Sequence, residues 1–136
     1  MTYRFTARVV GAEIIPGDDV ILAGVAEDEE EGSFSLVFMG SVAEPSRQDL
    51  ALGWDTHCVV TPDQNTAYGC VRKIALTDNV LTVSLAQDSL EALALEDAEI
   101  EVILDVPAED VTRLRDVLAK VMACGRQNAR PGRVGL

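Results

Sequence analysis

Residues Trp54-Asp55-Thr56-His57-Cys58-Val59-Val60-Thr61-Pro62-Asp63-Gln64-Asn65-Thr66-Ala67-Tyr68-Gly69-Cys70-Val71-Arg72-Lys73-Ile74-Ala75-Leu76 decide the fold. Two β-prone runs, 56–61 and 67–76, flank Pro62, Asp63, Gln64 and Asn65, residue types that favour turns. The stretch reads as a β-hairpin with a loop longer than two residues. It holds the only Trp, the only His and two of the three Cys of the chain. Counting outward from Gln64 as the loop centre sets Val60 across from Tyr68 and Cys58 across from Cys70.

That concentration of reactive side chains invites a chemical reading, and spacing argues against one. In this register the two thiols are cross-strand neighbours. A disulfide between them is open, although directly paired strand positions strain its geometry and a reducing compartment opposes it. The favoured reading is a pair of free thiols packed as small hydrophobes. A zinc site takes about four ligands, whereas the chain offers three Cys and one His and no Cys-x-x-Cys pair. His57 and Cys58 are adjacent in a strand and so point to opposite faces, which defeats a nucleophile–base pairing. No glycine-rich phosphate loop or Gly-x-Ser-x-Gly elbow occurs, and no carboxylate lies where a raised pKa is expected. The residues predict no catalysis, no cofactor and no metal.

Working outward, residues 3–15 alternate as one long strand, bent at Gly11. A turn at 16–19 leads to a second strand, 20–26, paired to the first. Residues 34–40 form a third, with Phe34, Leu36 and Phe38 on its core side. A short helical turn is expected between Pro45 and Gly53. Beyond the hairpin, Leu81, Val83 and Leu85 alternate with Thr82 and Ser84 as a half-buried strand. A short helix opens near Asp88, with Leu90 and Leu93 turned inward. Ile100, Val102 and Leu104 mark the last strand. From Pro107 to Gly125, the residues Val111, Leu114, Val117, Leu118, Val121 and Met122 follow helical spacing. The expected architecture is α+β: a largely antiparallel sheet of about six to seven strands, packed against a C-terminal amphipathic helix and a short second helix. Residues 1–125 form the single domain, and the basic tail 126–136 is expected to be mobile.

Composition bounds the partners. The chain has 136 residues, enough for one core-forming domain, and is 48% hydrophobic but only 4% aromatic. No apolar run approaches the roughly eighteen residues of a membrane span, and no signal-peptide pattern opens the chain, so a cytoplasmic location is expected. The net charge is −12, which disfavours nucleic acid and suits a basic protein partner. Residues Glu27, Asp28, Glu29, Glu30 and Glu31 form an acidic run with two readings. It is either an anionic patch for a cationic partner, or a solvated loop that blunts sheet edges and maintains solubility.

The opening run Tyr3-Arg4-Phe5-Thr6-Ala7, the segment Ala26-Glu27-Asp28, the block from Gly53 to Val60, then Tyr68-Gly69-Cys70-Val71 and residues 81–95 together resemble the immunity protein 10 family of bacterial polymorphic-toxin immunity proteins. The resemblance spans roughly residues 3 to 122. A tyrosine is expected where this chain has His57, and a glycine where it has Cys70. The resemblance implies a cytoplasmic protein that binds and neutralises a cognate toxin domain, basic and of nuclease type among the options, by occlusion and without chemistry. The acidic run from Glu27 to Glu31, Trp54 and Asp55 are candidate contacts, with His57 and Tyr68 behind them. Trp54 is alternatively a core residue at a strand entrance, and Asp55 a turn or capping residue. Two other classes stay open: a small-ligand-binding or regulatory module, and a structural homodimer joined through a sheet edge.

Overall fold

The computed structural model describes residues 2–15, 20–30, 33–41, 47, 56–124 and 131–136. In these segments ten strands and two α-helices follow the chain: β1 (Thr2–Ala7), β2 (Val9–Ile15), β3 (Val20–Ala26), β4 (Ser35–Ser41), β5 (Cys58–Thr61), β6 (Asn65–Tyr68), β7 (Val71–Thr77), β8 (Val80–Leu85), α1 (Leu90–Leu93), β9 (Glu99–Leu104), α2 (Ala108–Met122) and β10 (Arg133–Gly135). The fold is α+β, with more strands than the pattern of the sequence suggests.

The strands divide into two sheets, ordered β1-β9-β8-β7-β10 and β2-β3-β4-β5-β6. Pairing is antiparallel except for β1 with β9 and β10 with β7, which are parallel. Alternation places Leu81, Val83 and Leu85 inside and Thr82 outside. The register extends this across the first sheet, so that Phe5, Val102 and Leu81 line one row of the core face. Its other face is polar. There Arg4 Nη2 meets Glu101 Oε2 at 2.8 Å and the Ser84 hydroxyl donates to Glu99 at 2.6 Å.

The chain crosses from one sheet to the other in mid-strand at two places, and both correct the single-sheet expectation. The long first strand breaks at Arg8 rather than bending at Gly11: β1 stays with β9, and β2 joins β3. The run 67–76 likewise breaks, at Gly69 and Cys70, sending β6 to the second sheet and β7 to the first. Gly69 takes φ 61°, a left-handed conformation that a glycine adopts without the steric cost of a Cβ.

The hairpin register differs from that counted about Gln64. Cys58 stands opposite Tyr68, Val60 opposite Thr66 and Thr61 opposite Asn65. The loop is only the 3₁₀ turn Pro62–Gln64, with Asp63 and Gln64 at positive φ. Asn65 Nδ2 donates back to Pro62 O at 2.8 Å, which closes the turn early and draws Asn65 into β6. Cys58 and Cys70 are therefore not a directly opposed pair. The turn 16–19 and most of the helical segment expected at 45–53 lie outside the described residues.

Helix α2 supplies six buried side chains on one stripe, from Val111 to Met122, and packs on β2, β3 and β4. They join the inward residues of both sheets in one continuous core. Helix α1 buries Leu90 and Leu93 beside β5 and β6, and the Thr61 hydroxyl donates to Leu93 O at 2.7 Å. No helix among the described residues is long and apolar enough to cross a membrane. Arg133–Gly135 lie along β7 as an exposed edge strand, and Gly132 N donates to Arg72 O.

Close approach of α2 to the second sheet depends on Gly40. A Cβ built there would stand 2.8 Å from Cys124 Sγ and 3.5 Å from Val121 Cα. Gly40→Val is expected to force the helix off β4 and lower stability by about 1–3 kcal/mol, read as a reduced urea midpoint.

Candidate functional site

The hairpin that gathers Trp, His and Cys in the sequence is a joint. His57 is fully buried. Its carbonyl accepts Gly69 N–H at 2.8 Å and its Nε2 accepts Val71 N–H at 3.2 Å, so one residue holds both sides of the crossing between sheets. Accepting through Nε2 fixes the proton on Nδ1, which is buried and has no hydrogen-bond partner. Burial lowers the imidazole pKa from 6.5 to about 4, so the ring is neutral at physiological pH. Among the described residues, no carboxylate hydrogen-bonds the ring.

The neighbouring thiols are likewise held toward their neutral form by burial. Cys58 and Cys70 are free and buried. Burial pushes the Cys58 thiol up to about 11 and that of Cys70 to about 12, far from the thiolate state a nucleophile or metal ligand needs. Cys70 Sγ lies 3.7 Å from Ala67 O, a weak internal hydrogen bond. Among the described residues, no group of three or more His, Cys, Asp or Glu side chains is placed to hold a metal ion.

The acidic run is a shaped loop between β3 and β4. Glu27 N donates to Phe34 O at 3.0 Å, and Glu27 Oε1 accepts Phe34 N–H at 2.9 Å, which closes the base of the loop. The Asp28 carboxylate accepts the Ser33 hydroxyl and the Glu30 N–H, and these bonds, Ser33 first, hold its pKa below the usual range. Glu27 and Asp28 are thus spent on the loop itself, and Glu29 and Glu30 are exposed. Glu31 lies outside the described residues.

An aromatic cluster anchors this loop. Phe34 at its foot packs on Tyr3 and Phe5 of β1, with ring centroids 4.8 and 4.9 Å apart. Tyr3 is 37% exposed, and its phenol pKa is raised by partial burial and by Glu27. The cluster ties the acidic loop of one sheet to the first strand of the other. The sequence offers Phe34 as a core residue, but its meeting with β1 depends on the crossing at Arg8, which strand periodicity does not reveal.

Among the described residues, the other candidates do not converge on that loop. Tyr68 is 42% exposed on β6, in a row with Cys58 and Met39. That row lies four residues along β4 from Ser35, about 13 Å at strand spacing. Trp54 and Asp55 lie outside the described residues. His57 is inside the protein, so its imidazole is a structural group in this fold and not an exposed contact.

The sequence model of the family described as Immunity protein 10 matches residues 6–112. The chain belongs to that family. No curated protein and no solved structure matches it.

The histidine makes stability depend on pH in a defined window. Its folded pKa of about 4 lies below the ordinary 6.5, so between those values the unfolded chain binds more protons than the folded one. Stability therefore rises with pH through this window and is lost as pH falls from 6.5 toward 4. The loss is on the order of 3 kcal/mol. His57→Leu should remove this slope, as measured by urea unfolding at pH 7 and pH 4.5. It also orphans Val71 N–H, which lowers stability at both values.

Proposed function

We propose that this chain is an immunity protein of a polymorphic-toxin system. It binds a cognate toxin domain in the bacterial cytoplasm and neutralises it by covering the active site or an adjoining surface, with no chemistry of its own. The observation that carries this reading is family membership across residues 6–112. Physical features agree with it. The imidazole and the two buried thiols of the hairpin are in their inert protonation states, and the chain carries a net charge of −12.

On this reading the acidic loop faces a basic toxin. Glu29 and Glu30 are the contacts best placed for it, on a loop shaped by Glu27 and Asp28, with Glu31 completing the run. Such a surface repels nucleic acid, yet resembles its backbone to a nuclease that binds phosphates. Tyr68, Trp54 and Asp55 are further contacts, the aromatic side chains serving as anchors. His57 acts from within, by holding the hairpin on which Tyr68 lies.

The test is genetic and direct. The adjacent reading frame should encode a secreted multidomain protein whose C-terminal domain kills cells unless this chain is co-expressed. A neighbour without a toxic C-terminal domain contradicts the reading. Double charge reversal, Glu29→Lys with Glu30→Lys, should slow association with that domain by about tenfold at low salt and flatten its salt dependence. Association rates unchanged across salt would remove electrostatic steering and leave neutralisation intact.

A further inference from the structure

Beyond the acidic loop, β2 forms an edge of the second sheet that has no outer strand among the described residues. β9 accompanies β1 only as far as Ala7 opposite Leu104, where Asp105 N donates to Ala7 O at 2.8 Å. The chain then turns through Pro107 into α2. β2 continues from Val9 to Ile15, and β3 is its sole strand partner among the described residues.

The hydrogen-bonding phase shows which groups are free. Glu27 N–H donates to Phe34 O, its register partner, so the odd-numbered residues of β3 bond to β4 and the even-numbered ones to β2. With Val9 opposite Ala26, the backbones of Val9, Gly11 and Glu13 turn to β3. The N–H and C=O groups of Val10, Ala12 and Ile14 consequently point outward from the open edge. Natural edges are blunted with proline, lysine or bulges. Residues 9–15 contain no proline or lysine and keep an unbroken register with β3.

The surroundings suit an incoming strand. A groove of about 190 Å³ runs between Val10–Glu13 and the first turns of α2, where Asp110 and Arg113 form its far wall. A Cβ added at Gly11 would meet nothing within 4 Å, and Ile14 is 48% exposed. Glu13, whose side chain alternates to the face of β2 away from α2, and Asp110 on the groove wall put two acidic residues beside this edge, against the single Arg113.

We propose that the open edge of β2 takes up an extended segment of the toxin domain as a sixth strand of the second sheet, with a basic residue beside Glu13 and an apolar one over Ile14. Ladder hydrogen bonds to Val10, Ala12 and Ile14 give the affinity, and the α2 groove reads the side chains. Charge favours a basic partner over a second copy, since two chains of net charge −12 repel each other at contact. The assignment rests on the immunity reading and names its docking surface.

Amide hydrogen exchange on the full chain, alone and with the toxin domain encoded beside it, tests this. In the free protein the Val10, Ala12 and Ile14 amides should exchange quickly and those of Gly11 and Glu13 slowly. Complex formation should slow Val10, Ala12 and Ile14 by at least about tenfold. Ile14→Pro, which removes an outward donor without touching the β3 ladder, and Ile14→Lys should each weaken the complex by about tenfold or more and leave the acidic loop intact. A complex in which these three amides exchange at their free rates overturns strand addition and leaves toxin binding standing. Protection that appears in the free chain with rising concentration assigns the edge to a second copy and overturns the partner. Absence of any complex overturns the immunity reading, and this assignment with it.

Discussion

A buried imidazole holds the two sheets together. The β6–β7 crossing at Gly69 and Cys70 turns a continuous β-prone run out of one sheet and into another. Such a turn exposes backbone groups that neither ladder satisfies. His57 takes up one of them, Val71 N–H through Nε2, while its carbonyl extends the β5–β6 register to Gly69 N–H. A buried donor left unpaired costs roughly 1–3 kcal/mol, so this one residue decides whether the crossing is stable. The hydrogen on Nδ1 stays unpaired inside the protein. The joint therefore carries an energetic cost of its own, which dense packing around it must offset.

The surfaces of the two sheets differ as a result. On the outer face of the first sheet, Arg4 pairs with Glu101 and the Ser84 hydroxyl donates to Glu99. The second sheet carries the acidic loop at the β3–β4 turn and, along β2, an edge with no outer strand among the described residues. The Tyr3–Phe5–Phe34 cluster stiffens the foot of that loop by packing it on β1. A loop of like charges held at its base presents them in one place, at lower ordering cost on binding than a free tether.

Much of this was legible in the residues, and what was not has identifiable causes. The period-two alternation of residues 81–85 and the helical spacing from Val111 to Met122 follow from local geometry, and the structure keeps both. The division into two sheets escaped because hydropathy marks no stop at Arg8, although the buried positions change parity there, from Phe5 and Ala7 in one sheet to Ala12 in the other. The parallel pairing of β1 with β9 joins residues almost a hundred positions apart, which no local pattern encodes. The hairpin register shifted by two because Asp63 and Gln64 adopt left-handed conformations in a shorter loop than their residue types imply. The rule that adjacent strand residues face opposite ways was the reason for separating His57 from Cys58. It could not foresee that both sides are covered at the crossing, so that both residues are buried. The acidic run was visible as composition, whereas the internal use of Glu27 and Asp28 needed Ser33 and Phe34 in place.

The account turns on the hairpin being a structural joint and not a chemical site, and the chain's single histidine makes that directly measurable. Nitrogen-15 and carbon-13 NMR of the imidazole across pH reports its tautomer and its pKa without interference from other histidines. The account predicts a neutral ring in the Nδ1–H tautomer that remains unprotonated down to about pH 4, where its protonation coincides with loss of the fold. A ring that titrates near 6.5 with mixed tautomers in the folded protein would contradict it and return the hairpin to consideration as a site of chemistry.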